Sequence, residues 1–387
     1  MDVSRKSAIR FIVALGLISL FADVTYEGAR SVIGPFLGTL GASAFVVGFV
    51  AGLGEMVGYA LRLVSGYAAD KTRSYWLLTT IGYSLNLAAV PLLALTGHWF
   101  PAAVLIVLER TGKAIRTPSR DVMLSQAANQ VGRGWGFGLH EAMDQTGALI
   151  GPLVVAGVLA AWHEYWRAFA VLAIPAGLAI ATLLTARRLY PNPIAFEKKS
   201  AELTASGLPR MFWVYVAASG LLAAGFVDFP LISYHFQQDH LVGQVMIPIF
   251  YAISSGIEGI AALVFGRLFD RIGVRALMIG ALLSAASSPL VFLGGFGMAL
   301  GGMALWGAGM GAQQSLLRAA IANIVPVERR GSAYGIFNTA YGALWFGGSA
   351  LMGALYGISR PGLVAFAMAA QLCAIPLLLW VKRPTTA

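Results

Sequence analysis

The chain is poor in charge. Lysine, arginine, aspartate and glutamate make up 11% of its 387 residues, against roughly 25% in a soluble domain. That shortage excludes an ordinary water-solvated globule, a disordered chain and a coiled coil. Cysteine is almost absent. The single Cys373 excludes a disulfide within the chain and a cysteine-based zinc site. One cysteine and five histidines supply no soft-ligand cluster, so no metal and no cofactor is expected. The chain also lacks a nucleophile elbow and a phosphate loop. His140-Glu141 begins like the zinc motif H-E-x-x-H, but Asp144 stands where the second histidine is needed. An enzyme is therefore not expected.

Apolar length is what the chain has. Hydrophobic residues make up 58% of it, and the mean hydropathy is +0.74. A bilayer span takes about 20 residues. Twelve apolar runs can be placed, near residues 8–37, 43–69, 76–95, 101–124, 135–161, 168–184, 211–235, 244–269, 276–296, 298–325, 331–358 and 362–381. All are too long for strands of a membrane barrel. The fold class expected is all-α integral membrane, with twelve transmembrane helices in two six-helix bundles. The expected division is 1–185, a basic linker 186–210, and 211–387. The basic run Met1 to Arg10 has no clean cleavage site after it, so the first apolar run reads as a retained span.

The net charge of +10 would suggest nucleic acid in a soluble protein. Here the bases sort by loop. With both termini inside, the inner segments hold 20 of the 27 lysines and arginines, among them Arg5, Lys71, Arg133, Lys198, Lys199, Lys382 and Arg383. The outer loops hold only Arg167 and Arg360. That bias places both termini in the cytoplasm and the protein in the cytoplasmic membrane, without nucleic acid as a partner. A monomer is expected.

The halves repeat. Gly66 and Asp70-Lys71 follow the second run; Gly266 and Asp270-Arg271 follow the eighth, offset by 200. Arg133-Gly134 opens the fifth run and Arg330-Gly331 the eleventh, offset by 197. A duplicated six-span unit of this kind places a substrate site between the halves near the midplane.

These motifs resemble the major facilitator superfamily of secondary transporters, over essentially the whole chain. Its loop signature G-x-x-x-D-R-x-G-R-R is matched well by Gly266, Asp270, Arg271, Gly273 and Arg275. The first copy is worn: Lys71 replaces the first Arg, Arg73 stands where Gly is usual, and Ser74 replaces an Arg. Arg110 followed by Ala114 resembles R-x-x-x-G with the glycine lost. Gly147, Gly151 and Pro152 resemble the G-x-x-x-G-P motif of antiporter branches, although Val155 and Ala156 stand where two further glycines are usual. The segments Phe21–Glu27, Gly112–Asp121 and Glu328–Gly335 resemble one prokaryotic branch of permeases and efflux proteins. The resemblance implies alternating access about a central site, with the first and fourth spans lining the cavity. Gly66 and Gly266 would let helices pack closely. Asp70 and Asp270 would clasp a neighbouring helix end and a nearby Arg in one state; the alternative is that they only cap helix ends.

Thirteen charges fall inside the runs: the acids Asp23, Glu27, Glu55, Glu109, Glu141, Asp144, Asp228 and Glu258, and the bases Arg30, Arg62, Arg110, Lys113 and Arg318. Eight unpaired acids would cost on the order of 20 kcal/mol on insertion scales, more than a typical net stability of about 5–15 kcal/mol. They must be paired, neutralised or wetted. At 100° per residue, Asp23, Glu27 and Arg30 form one stripe, and Glu109, Lys113, Arg116 and Arg120 another. Six of the acids lie in the first half. The proton-coupling candidates are therefore Asp23, Glu27, Glu141 and Asp144. Substrate-binding candidates are Arg30, Glu109, Arg110, Lys113 and Arg116 in the first half, and Asp228, Gln313, Gln314, Arg318, Asn338 and Tyr341 in the second. A static salt-bridge network is the alternative for each charge. The expected function is proton-coupled efflux of a small organic solute. Import of an organic anion or zwitterion is one alternative; a receptor or lipid-handling protein that moves nothing is another.

Overall fold

The computed structural model describes residues 5–191, 207–326 and 329–381. Lys198, Lys199, Glu328, Lys382 and Arg383 lie outside the described residues, as do the side chains of Arg133, Arg318 and Arg330. Among the described residues there are helices and no strand.

Each of the twelve apolar runs is a helix or a helix pair. Runs one to four give α1 (Arg5–Arg30), α2 (Ile33–Thr39), α3 (Ala44–Thr72), α4 (Tyr75–Leu92) and α5 (Trp99–Ala128), and run five gives α6 (Arg133–Trp162). Run six gives α7 (Tyr165–Val171) and α8 (Ala173–Leu189). Beyond the linker come α9 (Arg210–Gly225), α10 (Phe229–Gln238), α11 (Met246–Ile272), α12 (Arg275–Leu293), α13 (Phe296–Ile324), α14 (Arg330–Ile358) and α15 (Arg360–Trp380). Among the described residues, nine helical segments are long and apolar enough to cross a membrane by length and composition. α5 is not one of them, and it holds Glu109, Arg110, Lys113, Arg116, Arg120 and Asp121. It runs unbroken through Pro118.

The first and seventh spans are broken at corresponding places. α1 stops before residues 31–32, and α9 stops before residues 226–228. A broken span must satisfy its freed backbone groups from within the protein. In the seventh span the Trp306 indole N–H donates to the Val227 carbonyl at 2.8 Å, and Gln371 Nε2 donates to the Gly225 carbonyl at 2.9 Å. Pro230 then opens α10, where its missing N–H costs no helical bond.

The chain divides into two compact units. The first is 1–32 with 61–200; the second is 33–60 with 201–387. In the first, Phe11, Ile12, Tyr75, Tyr83, Leu87 and Met123 belong to one buried cluster. In the second, a larger buried cluster includes Phe212, Phe226, Phe229, Phe250, Trp306 and Trp345. Large apolar side chains also point outward, Ile174, Ile260 and Leu263 being about two-thirds exposed at 65%, 67% and 67%. That outward face suits lipid rather than water.

Lipid tails give helices no hydrophobic reason to associate, so close backbone approach through small residues has to hold them. A Cβ on Gly147 would strike the Leu20 carbonyl, and one on Gly151 the Val24 carbonyl. α6 thereby lies against α1. Gly82 and Gly112 do the same for α4 and α5, and Gly307 and Gly311 seat α13 on α11. The expectation for the loop-motif glycines is not met in this state. Gly66 meets only Pro118, at 3.7 Å, and Gly266 has nothing described within 4 Å.

The internal repeat is visible in burial. Residues 62–70 and 262–270 carry the same sequence of buried, half-buried and exposed positions. Asp70 and Asp270 are both exposed. The backbone repeats as well: Arg73 has φ +53° where Gly273 has φ +65°. A left-handed residue with a Cβ costs roughly 1–2 kcal/mol. Arg73→Gly is therefore expected to raise the thermal midpoint by about 2 °C, read by tryptophan fluorescence. An unchanged or lower midpoint would show that the Arg73 side chain repays the strain.

Candidate functional site

The first unit gathers its charges where α1, α4, α5 and α6 meet. The α1–α6 glycine contact sets the register that brings the polar faces of these helices together. Ser19 is the hub. Its hydroxyl lies 3.2 Å from the Tyr83 hydroxyl, 3.1 Å from His140 Nε2 and 3.1 Å from Arg120 Nη1. His140 Nδ1 is 3.5 Å from Asp144 Oδ2, one turn along the same helix. Arg120 reaches the same oxygen at 3.8 Å and holds Asp121 by two hydrogen bonds, at 3.0 and 2.8 Å.

One turn earlier on α5, Arg116 is 1% exposed. Its guanidinium carbon lies 4.2 Å from the centre of the Tyr83 ring, within cation–π range. Nη2 is 3.8 Å from Asp23 Oδ1, an ion pair too long for a hydrogen bond. Lys113 donates to the Tyr26 hydroxyl, and its ammonium sits 3.6 Å from that ring's centre. The Arg110 guanidinium carbon lies 5.5 Å from the same ring's centre, and its Nε pairs with Glu109 at 3.3 Å. Asn86 fixes the Glu109 carboxylate at 2.6 Å. Glu27 is buried and Arg30 half-buried at the end of α1.

Along this face five acids, Asp23, Glu27, Glu109, Asp121 and Asp144, stand with five bases, Arg30, Arg110, Lys113, Arg116 and Arg120. The count balances with every group ionised and His140 neutral. Glu141 does not join it. That side chain is exposed on α6 and accepts from Gln145 at 3.0 Å.

The second unit is different in kind. Asp228, in the break between α9 and α10, is 2% exposed. It accepts from the Trp345 indole at 2.9 Å and the Ser349 hydroxyl at 2.7 Å. Tyr341 donates to Gln313 at 2.9 Å and packs edge-on against Trp345, with centroids 5.5 Å apart. Gln314 reaches Glu258 at 2.6 Å, in an exposed position. Asn338 is half-buried on α14.

Some participants are absent from the candidates read in the sequence: Ser19, Tyr26, Tyr83, Asn86, His140 and Ser349. Ser19 precedes Asp23, and His140 precedes Asp144, each by four residues, so helical spacing offered a signal for both. The aromatic and amide partners come from other helices and left none.

The sequence matches the family model described as Major Facilitator Superfamily over residues 15–349, and again over 229–387. An uncharacterized protein of Mycobacterium tuberculosis (strain ATCC 25618 / H37Rv) is 41% identical over 388 residues, covering 98% of this chain and 95% of the relative. An uncharacterized MFS-type transporter of Methanocaldococcus jannaschii is 24% identical over 362 residues, covering 89% of this chain and 88% of the relative. Among solved structures, an auto-inhibited POT family peptide transporter superposes with a TM-score of 0.76 at 13% identity, covering 98% of each chain. That last likeness is one of fold. The chain belongs to the major facilitator superfamily and is a multi-pass membrane transporter of that type.

Proposed function

We propose that the protein is a proton-coupled secondary transporter of a small organic solute, working by alternating access. The observation that carries this reading is the balanced acid–base network of the first unit. Buried charges that only assembled helices would be matched as closed pairs. Here Asp23 and Asp144 are held loosely, by contacts of 3.5 to 3.8 Å, among groups that share them. A carboxylate held in that way can take a proton without dismantling the fold. Asp23 and Asp144 are the coupling residues in this reading. Glu27 stands beside them as a further candidate, and Glu141 does not, because it lies outside the network.

The division into sequence halves 1–185 and 211–387 supplies two moving bodies. Both termini face the cytoplasm by the loop bias of the bases, in the cytoplasmic membrane, and the protein acts as a monomer. The exposed acids Asp70 and Asp270, with Lys71, Arg73, Arg271 and Arg275, form the repeated hinge motif between spans. In this reading Asp228, Gln313, Tyr341, Gln314 and Asn338 are the solute-contact candidates of the second half, and Arg318 is a candidate from the sequence alone.

Export by antiport takes its support from the resemblance of Gly147, Gly151 and Pro152 to the antiporter motif. The contact of both glycines with α1 serves either direction. A second reading, co-transport of a proton with an organic anion, is favoured by the geometry of Arg116.

In proteoliposomes, Asp23→Asn and Asp144→Asn are each expected to lower pH-gradient-driven flux by at least about tenfold, the scale of losing one proton-transfer group. Glu141→Gln is expected to keep most of it. Native flux that ignores the pH gradient would remove proton coupling, and gradient-driven flux left unchanged in both Asn variants would remove Asp23 and Asp144 as its carriers. A pH electrode outside the vesicles separates the two directions of coupling. Protons moving against the solute mark antiport, and protons moving with it mark co-transport.

A further inference from the structure

Two of the three guanidinium nitrogens of Arg116 have no hydrogen-bond partner among the described residues. Nε and Nη1 are both enclosed. The third, Nη2, has only the loose contact with Asp23, and the Tyr83 ring offers its face but no acceptor atom. The other bases of the first unit's network have fewer open donors: Lys113 has the Tyr26 hydroxyl, Arg120 has Asp121 and Ser19, Arg110 has Glu109, and Arg30, which has a partner of its own, leaves only Nε enclosed without a hydrogen bond. A buried donor left unmade is costly, and more so when it is charged. Natural structures keep such groups where something else completes them. What completes a guanidinium is an acceptor of negative charge with oxygens in a plane.

Resting on the transport reading above, we infer that Arg116 is the anchor of a subsite for a monocarboxylate anion, which enters the first unit's network together with one proton. The charged and titratable groups around Arg116 and the two acids that would take the proton are Asp23 and Glu27 from α1, Tyr83 from α4, Lys113 and Arg120 from α5 itself, and His140, Asp144 and the exposed Glu141 from α6. Five acids and five bases make the network neutral when it is empty. A bound monoanion leaves it one charge negative. Protonation of Asp23 or Asp144 restores neutrality, and at Asp23 it also removes the acid that competes for the guanidinium. A dianion would need a second proton, so the charge count selects monoanions. Neutral and cationic analogues gain nothing from Arg116. The enclosed Asp144 Oδ1, which has no partner among the described residues, is the other atom that a proton would complete.

The test uses the full chain purified in detergent, with unfolding followed by tryptophan fluorescence. The probes are acetate, propionate and phenylacetate, each against its own amide, at matched ionic strength and at about pH 5.5 and about pH 7.5. At least one carboxylate is expected to raise the midpoint by about 2–4 °C, more at the lower pH, while its amide does not. Arg116→Gln is expected to lose that response while its ligand-free midpoint stays level or rises, because an incompletely satisfied buried charge has gone. Arg116→Lys is expected to keep part of the response. Amides that stabilise as well as carboxylates would overturn the inference. So would a native protein that no carboxylate stabilises beyond its amide. An Arg116→Gln protein with a lower ligand-free midpoint and a native carboxylate response would assign Arg116 a structural role only. Proton-coupled flux of a neutral or cationic solute that survives Arg116→Gln would remove the anion subsite and leave the transport reading in place.

Discussion

A charge placed in a membrane span has to find its counter-charge inside the protein, because lipid offers none. The first unit obeys this constraint by collecting acids and bases on the facing sides of α1, α5 and α6, with Tyr26, Tyr83, Ser19 and Asn86 filling between them. The second unit obeys it with neutral partners. Asp228 is satisfied by an indole and a hydroxyl, and the broken span beside it by Trp306 and Gln371. One half pairs ionisable side chains with one another. The other presents aromatic faces and amides. The division of labour follows from where the ionisable residues fall in the sequence.

The constraint works only if the helices keep their register, and glycine contacts keep it. Gly147 and Gly151 press α6 onto the backbone of α1, which sets Asp144 and His140 opposite Ser19 and Arg120. Gly82 and Gly112 bring α4 and α5 together, which sets Asn86 on Glu109 and Tyr83 on Arg116. A side chain added at these positions would shift whole polar faces by an ångström or more. The packing residues thus set the geometry of the charged network.

The fold was legible because hydropathy is additive: twelve apolar runs give twelve spans whatever their neighbours. The breaks at 31–32 and 226–228 were not, since both lie inside continuous apolar runs, and the second is stabilised by Pro230 and, from outside the local pattern, by Trp306 and Gln371. The repeat at an offset of 200 was legible in Gly66, Asp70, Gly266 and Asp270, and the structure extends it to burial and to the left-handed backbone shared by Arg73 and Gly273. Within the site, helical spacing grouped Asp23 with Glu27 and Glu109 with Lys113 and Arg116. It also grouped Glu141 with Asp144, which the structure keeps near one another but at different exposure, Asp144 half-buried among the bases and Glu141 exposed, because a broad helical face covers both sides. His140 carries no signal of its own in the sequence beyond the incomplete zinc motif and its four-residue spacing from Asp144. Its partnership with Ser19 depends on a second helix, which a one-dimensional pattern does not carry.

The central claim is that Asp23 and Asp144 take up a proton without loss of the fold. Infrared difference spectroscopy of the protein in lipid, between about pH 8 and about pH 5, reads this directly. A protonated buried carboxyl shows a carbonyl stretch separated from that of solvated acids. The account predicts such a band on acidification, reversible, and lost when both residues are replaced by Asn. A spectrum with no buried-carboxyl band across that range, or one unchanged by the double replacement, would contradict it.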